Sequence, residues 1–329
     1  MTFVIGLTAL VAAGGISTPS ERPAPILHWP IECQIGVSCE IQNYVDRDPT
    51  VTARDYRCGS RTYDGHTGTD IRVQDLRAEA SVAVLAAADG QVLRIRDGVP
   101  DINVRAIGEA AVRGHECGNA VVIGHGDGWA TMYCHMAKGS VRVKPGQRLR
   151  AGESIGRPGL SGDTEFPHLH FEVRHNGRLV DPFAPGAPAG TTCGGGAPLW
   201  DGEVQKEATY RLRAILNAGF VSLPISAADV ESGRVKDIAP TAAAGFLIAY
   251  VRALGLQAGD VQKMELADPA GAVLFSQSAA PIDHDKAQFF QMFGTRRKPA
   301  GWRRGTYTAT YSVMHDSKTI LVKRFSVTL

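Results

Sequence analysis

From Pro167 to Gly177 the chain reads PHLHFEVRHNG, and its centre alternates strictly. His168, His170 and Glu172 fall on one face, and Leu169, Phe171 and Val173 on the other, the period-two pattern of a half-buried strand. No other stretch constrains the fold as much. Its apolar face demands a core behind it, while its polar face presents two imidazoles in front. At a strand rise of ~3.3 Å per residue those rings stand roughly 6–7 Å apart. One ion does not comfortably take both from a straight strand, so the expected division is one ligand and one neighbouring polar or catalytic group.

Further donors lie about a hundred residues upstream. The segment DGHTGTDIRV carries His66 and Asp70 four apart. Thr67, Gly68 and Thr69 between them disfavour a helix. In an extended segment His66, Gly68 and Asp70 share one face, and Gly68 leaves room for an ion between the two side chains. His66, Asp70 and one histidine of the 168/170 pair make two imidazoles and a carboxylate. That is the three-ligand set of a catalytic zinc, with a fourth position left for water.

His-x-x-x-Asp, then Tyr-x-His at Tyr133 to His135, then His-x-His, in this order, resemble the lysostaphin/LytM-type zinc endopeptidases that cut peptidoglycan cross-links. The intervening text, GNAVVIGHGDGWATMYCHM and VKPGQRLRAGESIGRPGLSGDTEFPHLHFEV, resembles that family too. The resemblance covers roughly residues 60 to 185. It implies that His66, Asp70 and His170 hold one zinc ion per chain, and that His135 and His168 are the catalytic or transition-state groups. It further implies a secreted metalloendopeptidase acting on peptidoglycan peptide stems. Two rivals stand beside it. One is a non-catalytic wall-binding or hydrolase-activator module with a regulatory protein partner; such relatives typically have broken ligand motifs, and none is broken here. The other is a zinc peptidase that cuts protein. Two departures from the family pattern stand out. Glu165 and Phe166 precede Pro167 where small residues are usual, and Phe166 is expected to narrow the pocket mouth. Cys134 directly precedes His135.

Other polar residues read less specifically. Glu172 is either a partner that orients His170 or a solvated strand residue, and it is not placed in the site. Asn119 is expected to line the cleft. His115, His125 and His175, flanked by Gly or Asn, read as surface residues.

The length suggests about two domains, and 44% hydrophobic residues suffice for ordinary cores. A net charge of +2 gives no reason to expect nucleic acid. No apolar run is long enough for a transmembrane helix, so no stable membrane insertion is expected. Phe3 to Ala13 is a short apolar run followed by Gly14-Gly15 and a Ser/Pro-rich stretch. Residues 1–20 therefore read as a secretory signal, cleaved after Ala13, although its start lacks Lys and Arg. Export to the periplasm or beyond agrees with six cysteines, an even number. Cys33 and Cys39 are close in sequence, Cys117 and Cys134 flank an expected hairpin, and Cys58 and Cys193 remain. No Cys-x-x-Cys spacing favours thiolate ligation of metal.

The expected fold is mainly β: an antiparallel zinc peptidase domain over 61–186, then a small immunoglobulin-like β-sandwich over 204–329. Residues 21–60 form a disulfide-clipped lead-in, and 187–203 a Pro/Gly linker. Strands are expected at 66–73, 81–86, 90–96, 119–123, 129–134, 154–155 and 168–174. Residues 97–117 are an insertion, helical near 107–113, that walls the cleft. In the last part, hairpin turns are expected at Asp268–Gly271 and His315–Ser317. Gly301 to Gly305 reads as a turn of aromatic and basic character, either a contact for a glycan or partner or, the preferred reading, a packed tryptophan.

Overall fold

The computed structural model describes residues 23–75, 77, 80–186 and 193–329. The expected signal segment and the start of the expected linker therefore lie outside the described residues. Ten strands make up the first part: β1 (Cys39–Asn43), β2 (Thr69–Val73), β3 (Val84–Leu85), β4 (Gly90–Arg96), β5 (Asn119–Gly126), β6 (Trp129–Met136), β7 (Arg148–Leu149), β8 (Ser154–Gly156), β9 (Leu169–His175) and β10 (Arg178–Val180). Eight of them form one antiparallel sheet in the order β1-β2-β9-β6-β5-β4-β7, with β10 pairing β9. β9 is the strand anticipated from its alternation. Leu169, Phe171 and Val173 are fully buried, and they pack with Ile71, Val121, Ile123 and Tyr133 in one core.

The lead-in belongs to this core. Leu27, Ile31, Ile41 and Tyr44 are buried in it, as are Leu199, Trp200 and Val204 from the end of the expected linker and beyond. β1 pairs with β2 so that Asn43 stands opposite Asp70, with a register irregularity between Ile41 and Asn43. Disulfides join Cys33–Cys39, Cys58–Cys193 and Cys117–Cys134.

β2 starts at Thr69 rather than at His66. A Cβ added to Gly68 would lie 2.6 Å from His170 Nε2, so this glycine makes room for the His170 ring, not for an ion between its neighbours. The β5–β6 hairpin turns at Asp127 and Gly128, with φ of 45° and 78°. Those left-handed values match the twist of the paired strands. The insertion forms a short helix, α1 (Val104–Ile107), and a 3-10 turn at Glu109–Val112.

The second part begins after α2 (Gly202–Glu207). Seven antiparallel strands form two sheets. One holds β11 (Ala214–Val221), β12 (Phe246–Leu256) and β15 (Lys286–Arg296) in that order. The other is ordered β14 (Val273–Ser278), β13 (Val261–Ala267), β16 (Thr306–His315) and β17 (Lys318–Thr328). Both contribute to a shared core, Leu247 and Val251 from the first and Leu266, Tyr307 and Tyr311 from the second. Helix α3 (Ala227–Glu231), capped by Ser226, lies between β11 and β12. The last hairpin turns at Asp316 and Ser317, both at positive φ. Trp302 packs on the shared core and donates its indole N–H to Ala244 O at 2.6 Å.

β15 was not among the expected strands. Phe289 packs on the shared core while Phe290 packs on a second cluster with Val230 and Tyr250. Both faces are covered, so the alternation that would announce a strand is missing. Among the described residues no helix is long and apolar enough to cross a membrane.

Candidate active site

The predicted site residues converge. β2 contributes Asp70, the turn before it His66, β9 His170, the residue ahead of β9 His168, and the end of β6 His135. The register pairs Asp70 with His170 and Cys134 with His170, so neighbours of one central strand meet on its polar face. His66 Nε2 lies 3.1 Å from Asp70 Oδ1 and 3.2 Å from His170 Nδ1. His170 Nδ1 lies 2.9 Å from Asp70 Oδ1. A tetrahedral ion with N and O ligands at about 2.0–2.2 Å sets its ligand atoms roughly 3.3 Å apart. The three donors fit such an ion, and all three residues are buried.

Each ring is turned by a partner behind it. His66 Nδ1 donates to Tyr44 O at 2.7 Å, which leaves Nε2 bare. His170 Nε2 meets Glu172 Oε1 at 3.3 Å, so its Nδ1 faces the donors. Asn43 Nδ2 donates to Asp70 Oδ2 at 2.8 Å, leaving Oδ1 to the centre. His135 Nδ1 donates to Ser161 O at 2.8 Å, and His168 Nδ1 to Phe166 O at 2.9 Å. A carbonyl only accepts, so these tautomers follow from chemistry. His168 Nε2 points inward, 3.2 Å from Asp70 Oδ1. The His135 and His168 rings stand 4.7 Å apart, and those of His168 and His170 6.5 Å, the spacing expected of a strand. His135, His168 and His170 form a second set of nearby donors, sharing His170 with the first.

Charge follows the same wiring. Burial alone would raise the Asp70 carboxyl, but His66 and His168, with hydrogen bonds from His168 and His170, hold it well below the usual range. Burial opposes a charge on His170, yet Asp70 and Glu172 raise it to about 9. Glu172 would also rise on burial, and His170, Thr67 and Arg174 bring it down to about 2. Burial, then the neighbouring His168 and His170, push His135 well below 6.5. His135 is therefore neutral at physiological pH.

Apart from Glu172, for which orienting His170 is one of two readings, the orienting residues are what sequence reasoning missed. Glu172 is 4% exposed and holds His170, so the solvated reading of this residue fails. Asn43 lies far from Asp70 in sequence and reaches it only through strand pairing. The carbonyls of Tyr44, Ser161 and Phe166 carry no side-chain signal at all. Asn119 does not line the cleft. It is wholly buried and bonds Val99 O, Met136 O and Ser161 Oγ, which ties the insertion to the end of β6. His125 is half-buried rather than on the surface, bonded to Asp89 O and Thr131. His175 stacks on Trp129 at 4.3 Å, and His115 is exposed.

A cleft of ≈ 370 Å³ opens on Asp70, His135 and His168. Val104 and Glu109 of the insertion, Phe166 and, from the second part, Ala287 line it. Phe166 lies 5.0 Å from the His168 ring.

Residues 64–182 match the model of peptidase family M23. The cell division protein DipM of Caulobacter vibrioides is 38% identical over 35% of this chain and 16% of its own length. The peptidoglycan DD-endopeptidase ShyA of Vibrio cholerae is 41% identical over 22% of this chain and 16% of its own. The murein hydrolase activator NlpD of Escherichia coli is 31% identical over 33% and 24%. This chain thus spans less than a quarter of each of these relatives. The ordered motifs, the mainly β antiparallel fold and the matched segment agree: residues 64–182 form a peptidase M23 domain, similar to those of the LytM-type peptidases.

Proposed function

We propose that the chain is an exported zinc metalloendopeptidase that hydrolyses peptide cross-links of bacterial peptidoglycan. The observation that carries this reading is the trio of oriented donors, His66 Nε2, Asp70 Oδ1 and His170 Nδ1, within 3.2 Å of one another. ShyA, a peptidoglycan DD-endopeptidase by name, supports the substrate class. NlpD, by name an activator, supports the rival reading, against which the complete donor set weighs. The three intact disulfides support an oxidising compartment.

Zinc, when bound, supplies Lewis-acid polarisation of the scissile carbonyl and a water activated near neutral pH. His66, Asp70 and His170 would hold it, one ion per chain. His135, kept neutral by burial, offers a bare Nε2 that can accept a proton and return it to the leaving amine, and His168, whose Nε2 is bare while Nδ1 donates to Phe166 O, offers a second acceptor that can release only a proton it has first taken up. Their Nδ1 atoms are held by carbonyls, so both rings act without reorienting. Phe166 and Val104 line the cleft beside these groups.

The test is metal content by mass spectrometry together with release of peptides from purified peptidoglycan. About one zinc per chain with cleavage is expected. A folded, zinc-supplied protein that neither holds zinc nor cleaves would favour the activator reading instead.

The charge on His170 sets a pH dependence. Metal binding requires the neutral ring, and without metal this ring keeps its proton up to a pKa of about 9. Zinc uptake near pH 7 therefore releases a proton, and affinity should climb as pH rises towards 9, then level. Chelator competition from pH 6 to 10 measures this. A flat profile would remove His170 from the ligand set.

Reduction of Cys117–Cys134 is expected to lower activity. His135 sits at φ 58°, costly for a non-glycine residue, and its N–H bonds Cys117 O at 2.9 Å. The disulfide, 17 residues apart, restrains that segment and stabilises by about 3 kcal/mol. Unchanged turnover after confirmed reduction would show that the hydrogen bonds alone hold His135.

For organisation, we take residues 61–186 as the peptidase unit with 21–60 as its lead-in, and 204–329 as an immunoglobulin-like sandwich. The latter reading is supported by three strands facing four, with the fifth joining the first two.

A further inference from the structure

Beside the cleft lies a second cavity, a groove of ≈ 490 Å³ between the two parts of the chain. The cleft and the groove share Glu165 and Phe166, so the two cavities adjoin at these residues. One wall of the groove is Leu160 and Pro167 of the peptidase part. The other is Ala227, Ala228 and Ser232 on and after α3. Ala287 of β15 brings the same second part to the rim of the cleft itself.

This wall is held in place. Arg72, two residues beyond Asp70 on β2, is 1% exposed and donates to Glu231 of α3 and to Gln288 of β15. Arg252 donates to the same Glu231 oxygen and to Gln74 O. The Arg72 guanidinium also lies 4.1 Å over the Phe166 ring. One buried arginine thus links the strand carrying Asp70, the aromatic ring lining the cleft and the second part of the chain.

We infer that the C-terminal β part is the far wall of the substrate cleft, and that an extended peptide arm of the substrate runs from the histidines across Phe166 into this groove. The inference rests on the peptidase reading above. The occupant follows from shape and chemistry. The groove continues from the place where a peptide bond would be cut, and its walls combine small apolar side chains with the Asn103 and Gln288 amides. Such a surface takes a chain of small residues; the Asn103 amide is held by Glu165 O and Arg105 N and the Gln288 oxygen by Arg72, which leaves the Gln288 Nε2 to donate to the backbone of that chain. The rim pair Arg105–Glu165, 2.6 Å apart and exposed, lies along this path and is free to part for polar groups of the arm.

The test uses the full chain. Ala228, exposed on α3, is changed to Trp to fill the groove, and Val273, 55% exposed on β14 and away from it, is changed to Trp as a control. Zinc content and melting temperature are checked for both. Cross-linked peptidoglycan peptides are then offered to each, with initial rates for KM and kcat. Dissociation constants are measured on a His135→Ala background, in which turnover is removed. Ala228→Trp should weaken binding and raise KM by at least about tenfold, the scale of losing one well-fitted apolar contact set, with zinc content unchanged. Val273→Trp should change neither. Equal constants for Ala228→Trp and wild type, with cleavage intact, overturn this inference alone. Failure of the wild-type chain to bind or cleave these peptides overturns the peptidase reading and this inference with it.

Discussion

Asp70→Asn is expected to empty the proposed zinc site and to cut the proposed peptidoglycan hydrolysis by at least about 10³-fold, the scale of losing several kcal/mol of metal-ion catalysis. Asp70 Oδ1 is the hub of the site, within 3.2 Å of ring nitrogens of His66, His168 and His170. An amide of the same shape keeps the volume and a partner for Asn43. It loses the negative charge that offsets a dication and that gathers the three imidazoles. In the metal-free variant His170 should also titrate lower than in the metal-free wild type, because Asp70 is the first group that raises it and Glu172 alone remains to do so. Zinc stoichiometry, hydrolysis and the His170 proton resonance are the three readouts, with the melting temperature as a check of folding. A folded Asp70→Asn protein that kept its zinc and turnover would remove Asp70 from the ligand set.

Glu231→Ala is expected to destabilise the chain by about 3 kcal/mol, the lower end for breaking a buried ion pair by removing one partner. Arg72 and Arg252, 1% and 0% exposed, both donate to one Glu231 oxygen. Burial already pushes Arg72 down to about 9 against the pull of Glu231. Without the carboxylate, two desolvated guanidiniums face each other with no directly bonded counter-charge, and only the lesser pull of Asp70 on Arg72 and of Asp75 on Arg252 remains. The Glu231 side chain is itself 21% exposed, so water relieves part of the cost, which is why the lower figure is expected. Urea unfolding of both proteins measures the difference. A second variant, Glu231→Leu with Arg252→Met, removes charge of both signs and should recover part of the loss. A change below about 1 kcal/mol in Glu231→Ala would mean that solvent reaches both arginines.

The same pair of sites shows where the sequence is legible. His66, Asp70, His135, His168 and His170 can all be picked out from the amino-acid order, because each requires a particular side chain and their succession along the chain is specific. β9 could be read because one face is apolar and the other is not. β15 could not, because packing on both faces erased its period. The hairpins at Asp127-Gly128 and Asp316-Ser317 were readable because left-handed turns select few residue types.

What the amino-acid order determined by itself was the chemistry: which donors exist, which strand carries two of them, and that a mainly β chain holds them. Only the tertiary structure decided how those donors point. Asn43 reaches Asp70 through the β1–β2 register. Three rings are turned by backbone carbonyls that any residue could supply. Arg72 could equally have been a solvated strand residue, and it is the second part of the chain that buries it against Glu231. Side-chain identity is local and can be read along the chain. Hydrogen bonds to backbone and contacts between distant strands arise only once the chain has folded.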